Sequence, residues 1–323
     1  MNDNRIPEDE SASAFVYQEC LPYLRQSQNL DGGWGFLAGK DSRVEPTAWA
    51  TLALSEHCQG NEIQDALSKA IGFFQNSQLA DGSWAASPSQ LRGSWVTSLA
   101  CWALLASGTE TENLTAGLRW LQEDRPGDSG RWWRMLRRLA TNQNISRQSD
   151  SYYGWSWTPG TASWVEPTSY ALLVLRSLPE AALSIEMQSR IRIAKQMLYD
   201  RMCPGGGWNC GNPMVYGVAG EPQVTPTAFA LLALLESSSR SEIEESLNWL
   251  KKNSVTVASP TSNALTDIVL HVFGRQVATP AHALSHNRAQ DDISWSIPEA
   301  GWVALSLSSK QRWLNLKCSS VRL

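Results

Sequence analysis

Six stretches of the chain are rich in Ala and Leu, and five of them are apolar at almost every position, the SNALTDIVL copy being the more polar one. They are AWATLAL after Glu45-Pro46-Thr47, SLACWALL after Val96-Thr97, SYALLVL after Glu166-Pro167-Thr168, AFALLAL after Thr225-Pro226-Thr227, SNALTDIVL after Ser259-Pro260-Thr261 and AGWVALSL after Ile297-Pro298-Glu299. Their Ala and Leu content favours helix, and a helix apolar on all sides is one buried on all sides. Proline suits a first helical position, where its missing N–H costs nothing and its φ is already helical. Thr279-Pro280 before AHALSH competes for the fifth place. Between these runs lie amphipathic segments at 62–78, 114–123, 185–202 and 241–252, preceded by one at 14–28. Charges keep to one face of each, which predicts outer helices packed on an inner ring. Strand signals are weak throughout. Six inner and about six outer helices make an all-α fold, an α6/α6 barrel or α/α toroid.

The turns between helices repeat as well. Asp31-Gly32-Gly33-Trp34 recurs as Asp81-Gly82-Ser83-Trp84, and more loosely as Gly205-Gly206-Gly207-Trp208, Asp292-Ile293-Ser294-Trp295 and Gly154-Trp155-Ser156-Trp157. Internal periodicity of this kind marks an architecture that grows by stacking units. The predicted organisation is a flexible start at 1–12 and one toroid over 13–323, with a basic, Trp-rich insertion at about 124–160.

Tyr23-Leu24-Arg25-Gln26 before Asp31-Gly32-Gly33-Trp34, and Phe73-Phe74-Gln75 before Asp81-Gly82-Ser83-Trp84, resemble the glutamine–tryptophan repeats of squalene-hopene cyclases. More broadly they resemble the prenyltransferase and squalene-cyclase repeat superfamily, over most of 17–307. The resemblance implies structural repeats, in which the glutamine caps a helix end and the tryptophan stacks beside it. Trp34, Trp84, Trp208 and Trp295 are therefore expected to fasten the fold. Two departures matter. Squalene-hopene cyclases have two toroid-like domains, and their Asp-x-Asp-Asp acid motif does not occur here. The Asp-x-Cys zinc motif of protein prenyltransferases is missing too.

Composition narrows the function classes. A formal charge of -4 and a pI near 5.7 argue against nucleic-acid binding, which leaves a basic footprint. No apolar run reaches the ~20 residues of a membrane span. Residues 1–10 are polar and acidic, unlike a signal peptide, and six scattered cysteines read as reduced thiols. A cytoplasmic protein is expected, with peripheral membrane contact as a further option.

Glu45 and Glu166 precede prolines at one repeat position, which sets both at the same end of the inner ring. Carboxyls at a cavity mouth can do acid or base work, and burial raises their pKa. Equally, a carboxylate at a helix N-terminus caps free N–H groups and is stabilised by the dipole. Asp292, beside Asp291, is a further acid candidate or a plain turn residue. Trp49, Tyr170 and Phe229 each fall three residues after their helix's proline, with Asn263 and Gly301 at the matching places. With Trp95 and Trp302 they suit an isoprenoid chain and a carbocation; packing between helices accounts for them equally. Arg131, Arg134, Arg137 and Arg138, set among Trp120, Trp132 and Trp133, offer a diphosphate or membrane contact, or simply a solvated outer helix. His282-x-x-x-His286, with Cys203 and Cys210, is the nearest approach to a zinc site; no metal and no cofactor are expected.

The function these readings favour is a terpene cyclase-like enzyme. It would cyclise or isomerise an isoprenoid in a central apolar cavity by acid-initiated carbocation chemistry. The rivals are a non-catalytic toroid holding a lipid or partner, and a prenyltransferase-like transferase. The expected partner is an isoprenoid or other apolar small molecule, with no nucleic acid.

Overall fold

A computed structural model describes residues 10–130, 148–149, 151–237, 239–254, 259–275 and 295–316. The first helix is composite: α1 (Glu10–Phe15), a π-helical turn (Val16–Cys20) and α2 (Leu21–Gln26). There follow α3 (Val44–Glu56), α4 (Asn61–Ser77), α5 (Val96–Ala106), α6 (Glu112–Glu123), α7 (Val165–Leu175) and α8 (Ile185–Asp200). The last four are α9 (Val224–Ala233), α10 (Ser241–Ser254), α11 (Pro260–Val272) and α12 (Ile297–Ser306).

The six apolar runs become α3, α5, α7, α9, α11 and α12. Each packs on the next, and α12 packs back on α3, so the inner ring closes. Their burial follows from composition: every side chain of α5 from Val96 to Leu105 is buried. The outer helices are amphipathic. α4 buries Ile63, Ala66, Leu67, Ala70, Phe73 and Phe74, a single stripe against α3. In the same way α6 lies on α5, α8 on α7, and α10 on both α9 and α11, while α2 and the π turn lie on α12. Between α8 and α9 a small hairpin pairs β1 (Met214–Val215) with β2 (Val218–Ala219), which hydrophobic alternation did not announce.

In four of the repeats one tryptophan fastens outer to inner helix. The indole N–H groups of Trp34, Trp84, Trp155 and Trp208 donate to the carbonyls of Leu24 (2.6 Å), Phe74 (2.8 Å), Leu121 (3.0 Å) and Leu198 (2.6 Å) at outer-helix ends. The backbone N–H groups of the same four donate to Thr47, Thr97, Thr168 and Thr227 at inner-helix starts, at 2.9–3.0 Å. Each indole thereby satisfies a carbonyl that helix geometry leaves without a partner. The turn before it is tight: Gly82 sits at φ 86°, and a Cβ there would lie 2.8 Å from the Ala116 carbonyl.

Three expectations need correcting. Trp155, in the diverged copy, makes the fastening bond; Trp295 is half-buried and its carbonyl instead accepts from the Tyr23 hydroxyl (2.5 Å). The bonding glutamines are Gln28 and Gln78, not Gln26 and Gln75, which are exposed on their helices. Gln78 donates to the carbonyls of Gly82 (2.7 Å) and Asn113 (2.8 Å), and Gln28 to those of Gly32 and Ala66. Finally, Pro46, Pro167 and Pro226 are third in their helices, not first. The first four helical N–H groups have no intrahelical acceptor, so proline is tolerated there as well. Gln78→Ala is expected to cost about 1–2 kcal/mol in urea unfolding, against under about 0.5 for Gln75→Ala, because only the first strips buried carbonyls of a donor.

Candidate active site at the amino-terminal end of the ring

Glu45 is the second residue of α3 and Glu166 the second of α7. Both are half-buried, and neither carboxyl accepts a backbone hydrogen bond among the described residues, so the capping role is not realised as a bond. Burial raises the pKa of Glu45 to about 7, against the opposing pull of a hydrogen bond from Trp49. Burial also raises Glu166 to about 7, and there the charge of Glu45 pushes the same way. The two are thus electrostatic neighbours and titrate as a pair.

The candidate aromatics form one connected cluster below this pair. Trp49 meets Trp302 at 4.4 Å between ring centroids, Tyr170 at 6.0 Å, and Phe229 at 6.1 Å, stacked. Tyr170 meets Phe229 at 4.7 Å and stacks on Trp95 at 5.6 Å. Gly301 brings α12 close: a Cβ there would sit 3.1 Å from the Trp49 carbonyl. These rings touch across the axis of the barrel, so at this level it is filled by aromatic packing. Burial and the Glu166 and Glu45 charges raise the pKa of the enclosed Tyr170 phenol well above its usual value.

The described space lies outside the cluster. An open cleft of about 620 Å³ runs past Glu166 and is walled by Gln223, Thr225, Trp249, Asn253 and Ser262. Trp157 meets Trp95 edge-on at 4.9 Å and extends the aromatic cluster. On the far side Trp313 meets Trp102 and Trp302 at 5.1 and 5.8 Å, and its carbonyl accepts from the Trp102 indole (2.9 Å). Sequence reasoning missed Trp249 and Trp313, which sit on an outer helix and after the last repeat, where the inner-helix register offers no signal.

Asp292, Arg131, Arg134, Arg137, Arg138, His282 and His286 lie outside the described residues. Cys203 is buried and Cys210 half-buried; among the described residues no three metal-ligating side chains converge. No described helix is long and apolar enough to cross a membrane.

With this geometry in hand, comparison with known proteins is informative. The profile of the family described as A-macroglobulin TED domain matches residues 16–208, more than half of the chain. The chain belongs to this family. A drimenyl diphosphate synthase of Streptantibioticus cattleyicolor is 34% identical over 79 residues, which is 24% of this chain and 14% of that protein's length. A crystal structure of a protein from Actinoplanes superposes with a TM-score of 0.59 at 12% identity, over 94% of this chain and 99% of its own. The ent-copalyl diphosphate synthase of Streptomyces platensis superposes with a TM-score of 0.50 at 17% identity, over 82% of this chain and 50% of its own. TED domain and diterpene synthase thus meet in this chain's architecture, the α/α toroid with a terpene cyclase-like arrangement of helices. At these identities the two superpositions speak for fold, and fold alone does not assign chemistry.

Proposed function

We propose that the protein is an isomerase or cyclase acting on an isoprenoid, with Glu166 as the acid and Glu45 as its partner base. One observation carries the reading: two half-buried carboxyls at matching helix starts, their pKa values raised to about 7 chiefly by burial, with Glu166 facing a cleft beside Trp249. In the step envisaged, Glu166 gives its proton to an alkene carbon lying in the cleft. A C–H bond forms, the π bond breaks, and a carbocation is left on the neighbouring carbon. Loss of a proton from an adjacent carbon to the Glu45 carboxylate ends the reaction, with no net change in the atoms of the substrate.

Magnitudes set a condition on this chemistry. A carboxyl near pKa 7 is a weaker acid than an ordinary glutamic acid by about 3 kcal/mol, at 1.36 kcal/mol per unit. Cation–π stabilisation from Trp249, about 1 kcal/mol at an open cleft, offsets part of that. A tertiary or allylic cation is therefore the reasonable intermediate. Similarity to the drimenyl and ent-copalyl diphosphate synthases supports the choice of an isoprenoid. A second reading, a toroid that binds a lipid without turnover, draws on the aromatic contacts that fill the barrel axis.

Incubation with squalene and with geranyl, farnesyl and geranylgeranyl diphosphates, read by gas chromatography–mass spectrometry, separates the two. The expected result is a cyclic or isomerised product whose rate falls at least about 100-fold in Glu166→Gln, the usual scale for removing a general acid. An unchanged lipid recovered in stoichiometric amount, with no substrate consumed, would establish the second reading in place of the first.

A further inference from the structure

We propose that the end of the ring opposite Glu45 and Glu166 is a binding site for a small phosphorylated molecule. The site is independent of the isoprenoid reading. Here the C-terminal ends of α3, α11 and α12 and the π turn border an open cavity of about 490 Å³, lined by Tyr17, His57, His271, Lys310 and Arg312 among others. That volume lies within the usual range for small-molecule sites. The π turn that supplies Tyr17 is a local departure from α geometry of the kind that recurs at functional sites.

The charge around the cavity is unbalanced. Its one carboxylate, Glu56, is buried and already engaged: it accepts from the Ser308 hydroxyl (2.5 Å) and from the backbone N–H groups of Arg312 (3.1 Å) and Trp313 (3.0 Å). Arg312 gives one N–H of its guanidinium to the Glu56 carbonyl, and the rest of its donor fork is unspent. Lys310 is exposed and its ammonium has no carboxylate partner among the described residues. His57, buried, bonds the Ala304 carbonyl through Nε2 (2.8 Å), which leaves Nδ1 as its remaining polar atom. His271 faces the same space from the end of α11.

In a protein of net charge -4, two cations that have no carboxylate partner among the described residues and two histidines therefore meet at one cavity. A planar guanidinium fork beside a point-charge ammonium matches the several oxygens of a phosphate better than it matches a single carboxylate. Tyr17, whose ring meets His57 edge-on at 5.9 Å, offers a surface for the organic part of the ligand.

Isothermal titration of the full chain at low ionic strength, with inorganic phosphate and then pyrophosphate as probes, tests this. One-to-one saturable binding is expected, weakened at least tenfold in Lys310→Glu. Lys310 is exposed, so this variant should fold, and circular dichroism checks that it does. Lys69→Glu, the same charge change on the distant face of α4, should leave the affinity unchanged. Absence of saturable binding overturns the site, and so does equal weakening by both variants, which would mean diffuse electrostatics.

Discussion

Trp84→Ala is expected to lower the free energy of unfolding by about 4–6 kcal/mol, a large share of the roughly 5–15 kcal/mol that a domain usually has. Trp84 is fully buried, so truncation removes a large apolar side chain and leaves a cavity that the surrounding helices fill only in part. Burial loss of this kind costs about 3–5 kcal/mol. The indole N–H also satisfies the Phe74 carbonyl at the end of α4, and an acceptor left bare in the interior adds about 1 kcal/mol or more. The same argument applies to Trp34 and Trp208, which have the same two bonds and the same burial. Trp295 supplies the contrast. It is half-buried, and its carbonyl rather than its indole makes the long-range bond, so Trp295→Ala keeps that bond and should cost about half as much or less. Urea unfolding followed by circular dichroism distinguishes these cases. A loss below about 2 kcal/mol for Trp84→Ala would mean that the tryptophans are accessory to the ring and do not fasten it.

This arrangement explains why so much of the fold was legible in the sequence. A helix buried on every side has little room for charge, so most of the inner helices stand out as runs of Ala and Leu, with buried Asp267 in α11 an exception, and the outer ones as single-face stripes. The fastening tryptophans recur because each repeat meets the same physical problem, an outer helix ending in bare carbonyls beside an inner helix starting with bare N–H groups. What the sequence concealed depends on direction and distance. Gln75 was the expected capping amide of its repeat, and only chain geometry points Gln78 instead at two carbonyls while leaving Gln75 exposed. The aromatics three residues past the prolines were visible as a set. Whether they line a hollow or touch each other turns on a few ångströms, and the repeat register that marks Gly301 does not tell that its missing side chain lets α12 approach Trp49. The site carboxyls lie between these extremes. Their common position in the repeat set Glu45 and Glu166 at one end of the ring, but not the absence of a capping bond that leaves them free to titrate.

That absence makes stability depend on pH in a direction opposite to that of most carboxylates. Each of the two has a folded pKa of about 7 against an ordinary value of 4.5, raised chiefly by burial. Between these values the folded chain holds more protons than the unfolded one, so stability falls as pH rises. The stabilising contribution is complete below about pH 4.5, is lost progressively as pH climbs to about 7, and is flat above that. At 1.36 kcal/mol per unit, and discounted because both groups are partly exposed, the loss is about 2 kcal/mol per carboxyl. Glu166→Gln, which keeps the shape and cannot ionise, should match the wild-type chain near pH 4.5 and exceed it by about 2 kcal/mol at pH 8. A carboxylate serving mainly the helix dipole predicts the reverse: its folded pKa would be depressed, and the amide would be the less stable form at pH 8 by about 0.5–1 kcal/mol. Chemical denaturation of both proteins at four or five pH values decides between these by sign, independently of any assay for turnover. If Glu166→Gln is stabilising at pH 8 and also inactive, the strained carboxyl is conserved energy held at the reacting centre, which is the pattern expected where stability yields to catalysis. If it is destabilising, Glu166 is a helix-end charge, and the acid for any isoprenoid chemistry must be sought elsewhere in the chain.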